Sequence, residues 1–322
     1  GGLCAAVKLK EAGFDDFVIL EKAESLGGTW FYNTYPACAC DLPSAIYSFS
    51  FDIKRDWSRP YAPQKEILGY LESIANKHDL VPHCRFGAEV RSAKWDEAKS
   101  NWLVELASGE QLEAEVVATA LGMLNEPVIP QLEGLDTFKG KTFHSARWDW
   151  NYDLRGKNVA VVGSGASAVQ FVPEIVKNTN QVHLFQRTAN WIMPKEDVPY
   201  PQDVLDHYIN DPNAAFDLRQ QIHQGLDQSM TFAQEMVDQA SRAVMETLEV
   251  IEDPAVREKL TPQDVFGCKR PLFSNNWYQA FNQPNLELVT DSIDRVTEDS
   301  IVTTDGQARA VDALIFATGF AA

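Results

Sequence analysis

Asn158-Val-Ala-Val-Val162, followed by Gly163-Ser-Gly165-Ala-Ser-Ala168, decides the fold: a short apolar strand, a G-x-G-x-x-A turn, then helical spacing to about Lys177. Glycines at these positions let the backbone approach a pyrophosphate, and the helix N-terminus offers free N–H groups and the positive end of a dipole. The next strand, Gln181-Val-His-Leu-Phe185, runs into Gln186-Arg187-Thr188 with no carboxylate. A guanidinium there pairs bidentately with a 2'-phosphate. The unit therefore reads as an NADPH site built on Gly163, Ser164, Gly165, Ala166, Ser167, Ala168, Arg187 and Thr188. Without the glycine turn, Arg187 would be an ordinary solvated arginine at a strand end.

Near the start, Phe17-Val-Ile-Leu-Glu21 reads as a buried strand ending in the opposite charge. A carboxylate there accepts from both ribose hydroxyls and repels a 2'-phosphate. Glu21 stands about 20 residues beyond Gly2, which fits the third glycine of a G-x-G-x-x-G. An ordinary strand with a solvated glutamate would look the same. The chain opens on Gly1-Gly2 without an initiator Met and closes on Ala317-Thr-Gly319-Phe-Ala-Ala322, so it reads as an internal fragment lacking both termini. An acid-ended unit followed by a base-ended one points to FAD first and NADPH second, with hydride passing between them.

The expected fold is α/β, with two Rossmann-like dinucleotide-binding domains. Residues 1–148 form the FAD-binding part, 149–310 the NADPH-binding part with a helical insertion at about 204–257, and 311–322 a return to the first domain. Within the first part, a hairpin-like pair is expected at 89–95 and 102–106 and a strand at 115–119. Asn125-Glu-Pro127-Val-Ile-Pro130 makes an extended crossing segment. Strands are expected at 287–290 and 301–304, with Asp305-Gly306 as a hairpin turn.

A formal charge of -18 over 322 residues argues against nucleic acid and anionic membrane surfaces as partners. No apolar run approaches the roughly 20 residues of a membrane helix. The five cysteines, Cys4, Cys38, Cys40, Cys84 and Cys268, form neither a disulfide framework nor a metal spacing, and suit a reducing, cytoplasmic compartment.

Phe138-Lys-Gly140-Lys-Thr-Phe-His144-Ser-Ala-Arg-Trp148-Asp149 meets every defined position of F-x-G-x-x-x-H-x-x-x-W-[P/D]. Gly27, Gly28, Trp30, Tyr35, Pro36 and Asp41 meet a second pattern, which Ala37 breaks where Gly or Met is usual; Arg is common where Ala39 stands. Together with Gly267-Cys-Lys-Arg-Pro271 and Ala317-Thr-Gly319, these motifs resemble the type I Baeyer-Villiger monooxygenases, within the class B flavin-dependent monooxygenases, over nearly the whole chain.

The resemblance implies an NADPH- and FAD-dependent enzyme that uses O2 to insert oxygen beside a ketone carbonyl through a C4a-peroxyflavin, giving an ester or lactone. It places Gly2, Glu21, Gly28, Thr29, Trp30 and Asp41 at the flavin, and Lys269 beside Arg187 and Thr188 at the 2'-phosphate. It makes Arg270, with Asp41 as carboxylate partner, the stabiliser of the anionic peroxide and tetrahedral adduct. His144 and Trp148 fall on the link between domains, where they help to position the nicotinamide. Three other readings compete. His144 could be a structural histidine, Asp41 a turn cap before Pro43-Ser44, and Lys269-Arg270 a solvated basic pair. A flavin monooxygenase acting on amines or sulfides shares both nucleotide sites but carries Tyr or Phe where Trp148 stands. This stretch alone also reads as a nucleotide-binding module without activity.

Overall fold

Four- and five-residue apolar runs with no polar alternation make strands buried on both faces, and such strands assemble into parallel sheets. The computed structural model describes residues 1–229 and 233–321. In the first part α1 (Gly2–Glu11) leads to β1 (Ile19–Leu20), then α2 (Thr29–Tyr32) and α3 (Gln64–Lys77). β2 (Cys84–Arg85) then pairs in parallel with β1. Ile67, Tyr70 and Ile74 recur at helical spacing along α3 and bury one face against Ala6 and Val7 of α1 and against Trp57. An antiparallel meander follows: β3 (Val90–Asp96), β4 (Asn101–Leu106) and β5 (Gln111–Ala114). The expected pair is thus present. The strand expected at 115–119 is not formed, because no neighbour pairs with it among the described residues, and Val116 is 79% exposed.

The second part begins with β6 (Lys141–His144), β7 (Asn158–Val162), α4 (Ala166–Ile175) and β8 (Gln181–Phe185). β9 (Ile192–Met193) leads into the helices α5 (Gln202–Asn210), α6 (Pro212–Ser229), α7 (Gln234–Leu248) and α8 (Pro254–Leu260), which fill the expected insertion. Residues 230–232 of that insertion lie outside the described residues. β10 (Leu272–Phe273) pairs in parallel with β9 and precedes α9 (Trp277–Ala280). Then come β11 (Leu286–Val289), β12 (Ile293–Val296), β13 (Ser300–Thr303), β14 (Ala308–Ala310) and β15 (Ala313–Phe316). Gly306 turns the β13–β14 hairpin at φ +85, as the Asp-Gly pair requires.

Five parallel strands form the main sheet in the order β11-β8-β7-β15-β6. Two expected boundaries are corrected by it. The segment 311–322 was expected to return to the first domain, yet β15 sits between β7 and β6, with Ala313, Leu314, Ile315 and Phe316 all fully buried. Four consecutive apolar side chains require cover on both faces, which this central position supplies. β6, placed before the boundary at 148, likewise belongs to this sheet. Among the described residues, no helix is long and apolar enough to cross a membrane.

Candidate functional site

The parallel register lines up the strand ends. His144 is level with Phe316, Phe316 with Val162, Val162 with Phe185 and Phe185 with Val289. Residues one or two steps beyond this row stand at the carboxyl edge of the sheet, where open α/β sheets bind ligands. The chain leaves β7 toward β8 on one side, while β15 and β6 lie on the other, so the strand order reverses between β7 and β15. Gly163 lies at this point with φ +102, and a Cβ there would come within 2.5 Å of the Ala317 carbonyl oxygen. Only glycine fits such an approach. Gly165 caps α4 with no side-chain bond to the first turn, so its N–H groups remain for a ligand. Ser164 is buried, and its carbonyl accepts from Asn190 Nδ2 at 2.8 Å.

Beyond β8, a cleft of about 780 Å³ is lined by Arg187, Thr188, Lys269, Lys259, Asp264 and Thr290, among others. The structure thus brings together the three residues assigned to the 2'-phosphate from the sequence. Lys269 Nζ lies 3.4 Å from Thr188 Oγ1 and 3.1 Å from Asp264 Oδ2. Sequence reasoning missed Asp264, Lys259 and Asn190, which carry no motif and arrive from a loop and the helical insertion. The buried Gln186 donates to the Lys259 carbonyl at 3.1 Å and ties α8 to the end of β8.

In the first part, α1 begins at Gly2 without a side-chain cap, and Gly2 lies against Ile19 of β1. Glu21 follows β1, and its Oε1 accepts from the Ala23 N–H at 2.8 Å. Gly27 and Gly28 both have positive φ and lead into α2. Thr29 lends its carbonyl to Asn33 Nδ2. Trp30 packs against the cores of both parts and donates from Nε1 to Tyr47 Oη at 3.2 Å.

Ala37 breaks its motif at a position with φ +60. In this left-handed region a side chain costs roughly 1–2 kcal/mol, so the structure accounts for the usual glycine. Ala37→Gly should raise stability by about 1 kcal/mol or less, after the larger chain entropy of glycine is set against the relieved strain. Thermal unfolding of the two forms checks this, and a lower midpoint would show that the relieved strain is smaller than the entropy glycine adds to the unfolded chain. The next residues dock on α4 through Gln170, whose amide accepts from Tyr35 Oη and Ala39 N–H and donates to the Ala39 carbonyl and Asp41 Oδ1. Sequence reasoning missed this glutamine too.

The expected Asp41–Arg270 pair is not formed. Arg270 is exposed, and Asp41 lies 3.6 Å from Lys195 Nζ. Lys195 has a pinned backbone and a buried stem that fix its ammonium beside the carboxylate, whereas the exposed Arg270 guanidinium keeps its hydration. Burial pushes the Asp41 carboxyl above its usual range, against the pull of Lys195 and Gln170. Nor is Asp41 a cap, since Pro43 holds that place before the 3-10 turn at Ser44–Ile46.

His144 is buried at the end of β6; its Nδ1 accepts from Ala146 N–H, and its ring meets Phe320. Burial lowers its pKa, against the pull of the nearby Gly319 backbone, and its buried Nε2 has no hydrogen-bond partner among the described residues. Trp148 is buried in the core, edge-on to Phe143 and tilted against Phe171 of α4. His144 sits where the crossing segment meets the chain after β15, with Val128 N–H donating to the Gly319 carbonyl at 3.0 Å.

The model of the Flavin-binding monooxygenase-like family matches residues 16–322. The chain belongs to that family. It is 43% identical to a Baeyer-Villiger monooxygenase of Streptomyces coelicolor over 99% of its own length, and 41% identical to one of Pseudomonas aeruginosa over 100%. It spans 62% of the length of each of these relatives. Among solved structures, an open form of cyclohexanone monooxygenase matches with TM-score 0.88 and 30% identity, over 100% of this chain and 72% of that one. Cyclohexanone monooxygenase from Rhodococcus sp. Phi1 bound to NADP+ matches with TM-score 0.88 and 32% identity, over 99% and 68%.

Proposed function

We propose that the whole protein is an FAD- and NADPH-dependent Baeyer-Villiger monooxygenase. One atom of O2 enters between a ketone carbonyl and its neighbouring carbon, the other leaves as water, and NADPH supplies two electrons. The observation that carries this reading is the convergence of Arg187, Thr188 and Lys269 in one cleft beside the Gly163 turn, in a chain with the intact His144–Trp148 fingerprint. NADP+ bound to the Rhodococcus relative and the ketone in the cyclohexanone-bound structure of cyclohexanone monooxygenase support it. The five free cysteines suit the cytoplasm.

The residues present fit both cofactors. Gly163 lets β7 end against the Ala317 backbone, Gly165 opens onto free space at the start of α4, and that uncapped helix start offers N–H donors to a pyrophosphate. Arg187, Thr188 and Lys269 would hold the 2'-phosphate. For FAD, the uncapped start of α1 at Gly2 would take the phosphates and Glu21 the ribose. Gly28, Thr29 and Trp30 would border the ring system. The flavin, when bound, carries the electrons from NADPH to O2. In this reading Arg270 supplies positive charge to the oxygen that becomes anionic as the carbonyl is attacked, and Asp41 orients and balances that charge. His144 and Trp148 hold the link between the two parts; Trp148 does so through packing. Ester produced from a ketone panel, with NADPH consumed in step, supports the reading. Products from amines or sulfides alone would assign N- or S-oxygenation instead.

A further inference from the structure

Asp41 belongs to a loop of the first part, yet the two groups that reach its carboxylate come from the second. Gln170 Nε2 on α4 donates to Oδ1 at 3.0 Å, and Lys195 Nζ stands 3.6 Å from the same oxygen. Oδ2 takes no hydrogen bond among the described residues. The Lys195 side chain is only 10% exposed, and an ammonium so far from water needs an anion and a fixed frame. Asn275 supplies the frame, accepting from the Lys195 N–H at 2.9 Å and donating to its carbonyl at 2.7 Å. The Tyr61 ring adds a face 4.9 Å from Nζ.

We infer that Lys195 is a positioning residue: with Gln170 it anchors one oxygen of an ionised Asp41 and leaves the other to accept from Arg270, cofactor or substrate. The inference rests on the proposed role of Asp41. Tyr35, Cys38 and Cys40 on the same loop and Tyr61 opposite also face the carboxylate; all four are neutral at pH 7, and burial raises them further, Cys38 to about 12 and Cys40 to about 11. Lys195 brings the positive charge to this group. An acid with a raised pKa is ionised only above it, so coupling of NADPH use to ester formation is lost as pH falls through that value. Taking away the ammonium moves the loss to higher pH.

The test uses the whole protein and measures the ratio of ester to released H2O2 across pH, with the Michaelis constant for NADPH and the melting temperature alongside. Lys195→Gln should move the acid limb up by about one unit, a roughly tenfold loss of ionised carboxylate at fixed pH on that limb. The Michaelis constant for NADPH should barely move, Lys195→Arg should restore the limb, and adding Lys195→Gln to Asp41→Asn should cost nothing further. If Lys195→Gln melts too low to assay, Gln170→Leu removes the other Oδ1 donor and should shift the limb the same way. An unshifted profile in the assayable variant, beside a damaged Asp41→Asn, overturns the role of Lys195 alone. A parent-like ratio in Asp41→Asn overturns the reading of Asp41 and this inference with it.

Discussion

Arg270→Ala in the whole protein should lower ester formation by about 100- to 1,000-fold while NADPH oxidation continues and H2O2 accumulates. Loss of one donor aimed at a developing oxyanion has an effect of this size, about 3 kcal/mol. Coenzyme binding is assigned to other residues, and Lys269, the chain neighbour of Arg270, has its Nζ engaged at Thr188 and Asp264. Binding should therefore survive the substitution. Arg270 is exposed between Lys269 and β10 in this structure, so a catalytic role requires its guanidinium to turn inward when the site is loaded. Asp41→Ala should give a milder form of the same uncoupling, because the carboxylate orients and balances the charge without supplying it. Ester yield, H2O2 release and NADPH consumption measured together check this. Near-parent ester formation in Arg270→Ala would remove Arg270 from the chemistry.

The second large effect belongs to Arg187. Arg187→Ala should weaken NADPH binding by about 10- to 100-fold and leave NADH almost untouched, since a hydrogen bond to a charged group contributes about 1.5–3 kcal/mol. Arg187 has no ion pair among the described residues, whereas Lys269 already shares its charge with Asp264. Of the two cations, Arg187 is thus the freer to meet a 2'-phosphate. Lys269→Ala should follow in the same direction with a smaller change. Titration of each variant with both coenzymes is the check, and equal losses for NADPH and NADH would end the 2'-phosphate assignment.

How much of this was written in the chain depends on the length over which each signal acts. The G-x-G-x-x-A turn is local chemistry, and it is followed by the helix α4 and, at the end of the next strand, by the exposed Arg187, as the local pattern predicts. The Asp-Gly hairpin at 305–306 is equally local. β15 shows the limit: Ala313–Phe316 is plainly a buried strand, but its composition fits any sheet interior, and its place between β7 and β6 is fixed only by long-range pairing. The segment 115–119 makes the converse point, because apolar content cannot make a strand where no partner pairs with it. In the site, Ala37 was legible as a broken motif, but its φ of +60 supplies the reason. Gln170 and Lys195 were invisible. They act through contacts with Asp41 across 129 and 154 residues of chain, and neither belongs to a spacing that sequence chemistry demands.

Oxygen labelling tests the central claim most directly. The whole protein, supplied with NADPH, a cyclic ketone and 18O2, should give a lactone carrying one 18O atom in its ring, with the carbonyl oxygen unlabelled and NADPH consumed in equal amount. Label recovered only in H2O2 and water, with the ketone unchanged across a broad panel, would contradict it.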